Sequence, residues 1–408
     1  MNYNEAYELL KEKEQLHVLQ FFDSLKPDEQ NHLLDQISHI DWNVIASLSH
    51  KNEPVNKGVI EPLDAIEVDE IEEKHSAFEA LGLEAIRKQK VGAVLLAGGQ
   101  GTRLGLDKPK GMLNVGITKE LYLFEMLIRN LQKNTDAAGA YVPLYIMTSD
   151  KNHGDTVAFF EEHHYFGYPA EYISFFIQEM VPSTDYSGKL LMESTSSLSL
   201  SPNGNGGWYT SMQNCGILDD VRKRGLEWLN VFSVDNVLQQ IADPVFLGAT
   251  LDSGCVSGAK VVRKAAPDER VGVLCLEDGR PSIVEYYEMT EEMANSRKGN
   301  GDLTYNFGVT LNYLFQVSVL ETMLGANMPL HIVEKKIPYI DENGCQISPD
   351  KPNGYKFETL VLDMVHMSKD CIPCEIVREK EFAPIKNATG IDSLESARAL
   401  MKENGIEL

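Results

Sequence analysis

Leu95-Leu96-Ala97-Gly98-Gly99-Gln100-Gly101-Thr102-Arg103-Leu104-Gly105, followed after three residues by Pro109-Lys110-Gly111, is the stretch that decides the fold. The apolar run Val91 to Ala97 has the length of a buried strand and enters directly into four glycines within eight residues. Without Cβ atoms the backbone can turn sharply and present its N–H groups to a phosphate. Arg103 and Lys110 add fixed positive charge in the same loop.

Two familiar glycine loops fail letter by letter. Counting G-x-G-x-x-G from Gly99 and Gly101 puts Leu104 where the dinucleotide fingerprint needs glycine, and no glycine precedes Lys-Ser or Lys-Thr as a Walker loop requires. What remains is a strand, a glycine turn, an arginine and a Pro-Lys-Gly. That combination suits a nucleotidyltransferase, whose cations must neutralise a triphosphate while pyrophosphate leaves; an ordinary strand-to-helix glycine turn is the competing reading.

The net charge of −24 over 408 residues argues against a nucleic-acid or anionic-membrane surface, because such partners need clustered Lys and Arg. The few basic residues inside motifs are correspondingly informative. Six cysteines show no disulfide framework, and the single C-x-x-C, Cys371 to Cys374, lacks the second pair of a zinc site. No apolar run reaches membrane-spanning length and no signal-peptide pattern opens the chain, so the expected location is cytoplasmic.

From Asn4 to Leu48 apolar residues recur at helical spacing: Leu9, Leu16 and Leu19, then Leu33, Leu34 and Ile37. Pro27 with Asp28 and Glu29 predicts a helix start. The region reads as a helical arm packed on the main body, and Ser49 to Glu73 as a linker or wrapped loop. Short apolar runs then alternate with helical patterns, predicting an α/β domain with a largely parallel sheet. Its strand candidates are Val91 to Ala97, Val142 to Thr148, Ile173 to Ile177, Val231 to Val234 and Val271 to Leu276. The expected division is an arm and linker over 1–88, a catalytic core over 89–330 and a C-terminal region contributing to the site over 331–408. In such sheets ligands sit at the carboxyl ends of strands, and each further motif follows one of these runs.

Gln178 ends the third run, within Gln178-Glu179-Met180-Val181-Pro182. A side-chain amide both donates and accepts, as a uracil edge demands, though by itself such a glutamine is more often an ordinary surface or capping residue. Pro202-Asn203-Gly204-Asn205-Gly206-Gly207-Trp208-Tyr209 is either a loop exposing amides to a polar ligand or a plain turn. Asp235, in Val234-Asp235-Asn236, is either a magnesium ligand or the N-cap of a helix from Val237 onward. Glu285 and Asn306 suit sugar hydroxyls or ordinary strand positions, and Arg378 suits a phosphate or an ion pair.

Taken together, these residues resemble the signature of the UDP-sugar pyrophosphorylase family, and within it the UDP-N-acetylglucosamine branch, whose loop this chain matches at every letter through Pro109-Lys110-Gly111. The likeness extends through Gln178, Met180 and Pro182, the Gly-Asn-Gly-Gly-x-Tyr core, Val-Asp-Asn, Val-Glu-Tyr, Pro352-Asn353-Gly354, Arg378-Glu379 and Phe382-Ala383-Pro384-Ile385-Lys386-Asn387-Ala388. It departs at Trp208, where a smaller aliphatic residue is expected, and after Gly308, where the family's second asparagine is Val309.

The resemblance implies a Rossmann-like nucleotidyltransferase fold of the glycosyltransferase-A-like type, a mixed sheet flanked by helices. It implies formation of UDP-N-acetylglucosamine and pyrophosphate from UTP and N-acetylglucosamine 1-phosphate with Mg2+. It also implies roles by position: Arg103, Lys110 and Lys386 stabilise phosphate charge, and Leu96, Ala97, Gly98, Gly99, Gly101, Thr102, Gln178 and Gly206 line the nucleotide. Gly204, Asn205, Glu285, Asn306 and Gly308 line the sugar, and Asp235 holds the metal. Another sugar 1-phosphate (N-acetylgalactosamine, glucose or galactose) and a non-catalytic nucleotide-sugar binding protein are the alternatives. No nucleic-acid or membrane partner is expected, and oligomeric state is not legible.

Overall fold

A computed structural model describes residues 1–51, 58–326 and 328–408. The chain forms two compact units that interleave in sequence: a smaller one from 1–56, 179–207 and 328–361, and a larger one from 57–178, 208–327 and 362–408. The boundaries read from the sequence, at 88 and 330, therefore do not coincide with those of the compact units.

The larger unit is built on a 10-stranded mixed sheet. Four strands, Trp228–Ser233, Val91–Leu96, Leu144–Thr148 and Ile173–Ile177, lie side by side and parallel. Val91–Leu96 is buried at every position, as expected of a parallel strand covered on both faces. The remainder makes the sheet mixed, as the resemblance implies, rather than largely parallel as the alternation of runs suggests: Phe307–Gln316 runs antiparallel to Trp228–Ser233, and Ser257–Arg263 antiparallel to Phe307–Gln316. Ile372–Glu375 then adds a parallel strand beside Ser257–Arg263.

All five strand candidates are present, with ends shifted by up to three residues. The linker is not. Ile60–Pro62 pairs with Val273–Glu277, and Val68 opens a helix that runs to Arg87; of the rest, residues 52–57 lie outside the described residues. That helix crosses Pro244–Ser253 at backbone contact, since a Cβ on Gly82 would meet the Pro244 carbonyl oxygen and one on Gly248 the Phe78 carbonyl oxygen. Helix Leu123–Ala138 packs its apolar face into the same core and closes at Gly139 in the left-handed conformation.

In the smaller unit the helix Pro27–Ser38 starts as predicted, with proline in its first turn and the Glu29 carboxylate accepting from the Lys26 N–H. The helical segment supplies one half of this unit's core: Leu10, Leu33 and Ile37 pack with Leu190, Met192, Leu198 and Ile340. Short strands complete it, among them Met180–Pro182 with Leu200–Pro202, and His331–Lys335 with Gly354–Glu358. The Pro-Asn-Gly motif is part of this frame. Asn353 accepts from the Ile337 N–H at 2.7 Å and donates to its carbonyl at 3.0 Å.

Candidate active site

Sheet register brings the larger unit's motifs to one edge. Ser233 pairs with Leu96, so the glycine loop and Asp235 leave neighbouring parallel strands at the same carboxyl end. Phe232 pairs with Asn312 in the antiparallel neighbour, which carries Asn306 and Gly308 beyond that end. Gly308 also pairs with Val262 and Val273, and the strand Arg280–Val284 ends there, leading into Glu285.

The loop folds back on itself. Lys110 N–H donates to the Gly99 carbonyl and Gly101 N–H to the Lys108 carbonyl, while Gly105 adopts a left-handed φ of 73°. Leu96 and Ala97 are buried sheet residues: the Leu96 carbonyl accepts from Val234 N–H, and Ala97 N–H donates to Met147. Gly99 faces open space, whereas a Cβ on Gly98 would stand 2.8 Å from Oε1 of Gln178. Gln178, buried at the end of Ile173–Ile177, thus lies over the first turn of the loop. Thr102 opens a short 3₁₀ turn, and Arg103 within it is exposed; among the described residues Arg103 makes no ion pair.

Lys110 is not free in the loop. Its Nζ donates to Oδ1 of Asp235 at 2.6 Å, with the lysine side chain 11% and the aspartate 31% exposed. The helix-cap reading of Asp235 is overturned, because no helix follows Val237; the next begins at Pro244 and Asp243 caps it. Asn236 fastens the segment carrying Lys386 to this turn. Its Oδ1 accepts from Ala383 N–H at 2.9 Å, its Nδ2 donates to the Glu381 carbonyl at 2.7 Å, and Ile385 N–H donates to the Asp235 carbonyl at 2.9 Å. Lys386 follows with an exposed side chain, its backbone N–H held by the Asp392 carbonyl. Burial raises the Asp392 carboxyl above its ordinary range, although Lys386 and Arg378 pull the other way.

Arg378 has partners within the protein. It pairs with Glu269 at 2.8 Å and donates to the Arg263 carbonyl at 2.8 Å. Glu285, half-buried, lies near Gly272, and Gly308 packs against Val271, where a Cβ would come within 2.8 Å. Asn306 is buried and its carbonyl accepts from Lys264 N–H.

In the smaller unit the asparagine-glycine loop is zipped to another stretch of chain. Gly206 N–H donates to the Thr359 carbonyl, Thr359 N–H to the Asn203 carbonyl, and Val361 N–H to Asn205 Oδ1 at 3.0 Å. A Cβ on Gly204 or Gly206 would strike the backbone of Thr359 or Leu360, so these glycines are required by chain packing. Trp208 belongs to the larger unit, where it is fully buried with its Nε1–H directed at Met364 Sδ.

Two positioning residues went unread in the sequence. Asn152, buried, accepts from Ser149 N–H and donates to the Ala97 carbonyl at 3.0 Å, fixing the loop's entry. The other is Asn236, which holds the segment leading to Lys386. Cys371 and Cys374 flank or lie in a buried strand, and burial pushes the Cys371 thiol up to about 12, which makes a thiolate role untenable near neutral pH. Among the described residues no group of three or more His, Cys, Asp or Glu could hold a metal, and no helix is long and apolar enough to cross a membrane.

Comparison with known proteins extends these observations. Residues 27–407 match the family described as UTP–glucose-1-phosphate uridylyltransferase. The chain is 36% identical to the Homo sapiens UDP-N-acetylhexosamine pyrophosphorylase-like protein 1 over 93% of its length and 79% of that protein's. It is 36% identical to the Saccharomyces cerevisiae UDP-N-acetylglucosamine pyrophosphorylase over 94% of its own length and 86% of the relative's. Its backbone superposes on the crystal structure of the Trypanosoma brucei uridine diphosphate N-acetylglucosamine pyrophosphorylase with a TM-score of 0.84 at 27% identity, covering 98% of this chain and 84% of that one.

Proposed function

Because the chain belongs to the UTP–glucose-1-phosphate uridylyltransferase family, we propose that it makes UDP-N-acetylglucosamine and pyrophosphate from UTP and N-acetylglucosamine 1-phosphate. The observation that carries this reading is the meeting of Lys110 and Asp235 at 2.6 Å, where the glycine loop adjoins a turn that also anchors the Lys386 segment. The names of the relatives favour the N-acetylated sugar over glucose.

The chemistry follows from charge. An oxygen of the sugar phosphate attacks the α-phosphorus of UTP in line, the new O–P bond forms, and the bond to the β-phosphate breaks with its electrons leaving on pyrophosphate. The attacking oxygen is already ionised, so no protein nucleophile or base is needed and positioning with electrostatics suffices. Arg103, Lys110 and Lys386 supply cations where charge accumulates. Gln178, held against Gly98, is assigned the uracil edge, and the open backbone at Gly99 the phosphates. Asn205 Oδ1 accepts from Val361 N–H, which fixes the amide's orientation, and its Nδ2 suits donation to an acetamido carbonyl. Glu285, Asn306 and Gly308 retain the sugar assignment, and Arg378 is assigned to the frame.

Asp235 fits magnesium of the kind that takes one carboxylate and completes its shell with substrate phosphates and water, rather than an all-protein cage. Bound there, the ion would add Lewis-acid charge neutralisation to that of the lysines.

Pyrophosphate release from UTP and Mg2+ should be measured with the 1-phosphates of N-acetylglucosamine, N-acetylgalactosamine, glucose and galactose. Turnover on N-acetylglucosamine 1-phosphate is expected. Turnover on glucose 1-phosphate alone would overturn the sugar, and nucleotide binding without pyrophosphate release would make the chain a binding protein.

A further inference from the structure

Linked to the Asp235 turn is a buried ammonium group. Lys260, 1% exposed in the strand Ser257–Arg263, donates to Asp243 at 2.6 Å and to Glu381 at 2.5 Å. Asp243 is itself tied down, capping the helix Pro244–Ser253 through Val245 N–H at 3.0 Å. Glu381 stands at the root of the Phe382–Lys386 segment, and its carbonyl is the one that accepts from Asn236 at 2.7 Å. A continuous chain of bonds therefore runs from the sheet through Lys260 and Glu381 to Asn236, beside Asp235.

Stability alone gives a weak reason for this arrangement, because a buried ion triad replaced by apolar groups of similar volume is commonly as stable or more so. What an ion triad supplies is direction: both carboxylates are drawn to one nitrogen and cannot drift. Burial opposes the charge on Lys260, and the two carboxylates overcome it, so the amine stays protonated.

We propose that Lys260 is a positioning residue which, by anchoring Glu381 from below, sets where the segment bearing Lys386 lies against Asp235. The proposal rests on the assignment of Lys386 to the substrate phosphates. Lys260 touches no reacting atom and acts only through Glu381 and Asn236.

The test is a double-mutant cycle read by steady-state kinetics on the full chain. Lys260→Met is expected to lower kcat about tenfold or more with KM for UTP within about threefold, because geometry at the phosphates is lost and the nucleotide pocket is not. On a Lys386→Ala background the same substitution should cost less than about twofold, since the group it positions is gone. Should Lys260→Met fail to fold, Glu381→Gln, which keeps the shape and the main-chain carbonyl, enters the same cycle with the same expected sign. An equal loss on both backgrounds, or a loss confined to KM, overturns the proposal. Wild-type turnover by Lys386→Ala alone overturns the assignment of Lys386, and with it the proposal.

Discussion

Replacing Lys110 by alanine should abolish most turnover while sparing the fold. The lysine Nζ lies 2.6 Å from Asp235 Oδ1, with side chains 11% and 31% exposed, so the ammonium is substantially shielded and its position is fixed. A fixed donor aimed at developing charge is worth about 3 to 4 kcal/mol, which predicts a kcat lower by roughly 10²- to 10³-fold. The structural cost is smaller. Asp235 loses its partner but keeps solvent on about a third of its surface, which limits the stability loss to about 1 kcal/mol or less. The activity term wins by a wide margin. Pyrophosphate release with N-acetylglucosamine 1-phosphate gives kcat, thermal unfolding gives the fold, and Lys110→Arg, which keeps the charge, should recover part of the rate. A Lys110→Ala enzyme within about threefold of wild-type kcat, under about 1 kcal/mol, would refute the reasoning.

Other substitutions probe neighbouring parts of the site and frame. Gly98→Ala puts a methyl 2.8 Å from Gln178 Oε1 and should push that amide aside, raising KM for UTP several-fold with little loss of thermal stability; an unchanged KM would separate Gln178 from the uracil. Gly111→Ala drives a Cβ to 2.2 Å from the ring of Phe124, which is fully buried. Overpacking of that kind costs about 1 to 3 kcal/mol, visible as a lowered urea midpoint. The Asp392 carboxyl titrates above its ordinary value in the folded chain because burial disfavours its charge. The native state therefore holds that proton more tightly than the unfolded chain, and stability from this group rises as pH falls through its folded pKa and is lost above it. Asp392→Asn, which tolerates the positive φ of 56° there, should stabilise the protein at pH 7 and give less benefit near pH 4. A benefit that grew toward acid would contradict this sign.

The strand before the glycine loop, the loop itself, the proline-led helix at Pro27 and the order of the motifs were legible in the chain. Each rests on a local pattern: an apolar run, the letters of a turn, a cap. Local pattern alone did not show the antiparallel part of the sheet: Ser257–Arg263 and Phe307–Gln316 were not among the strand candidates, and strand direction is fixed by pairing. The helix opening at Val68 within Ser49 to Glu73 was not read, because acids there mark a helix start as well as a loop. The helical arm became the half of a core whose other half comes from residues beyond 189, which no local periodicity can announce.

By itself the sequence determined which chemical groups are available and on which strand ends they stand. Tertiary structure alone decided their partners: Lys110 with Asp235 across 125 residues, Asn236 with Ala383 across 147, Arg378 with Glu269 across 109, and Gly206 against Thr359 and Leu360. Local propensity acts over a few residues, whereas an ion pair or a backbone clamp is set by sheet register and by which chains the core brings within three ångströms of each other. That is why the Glu269 partner of Arg378 and the two carboxylates about Lys260 carry no signal in the local sequence.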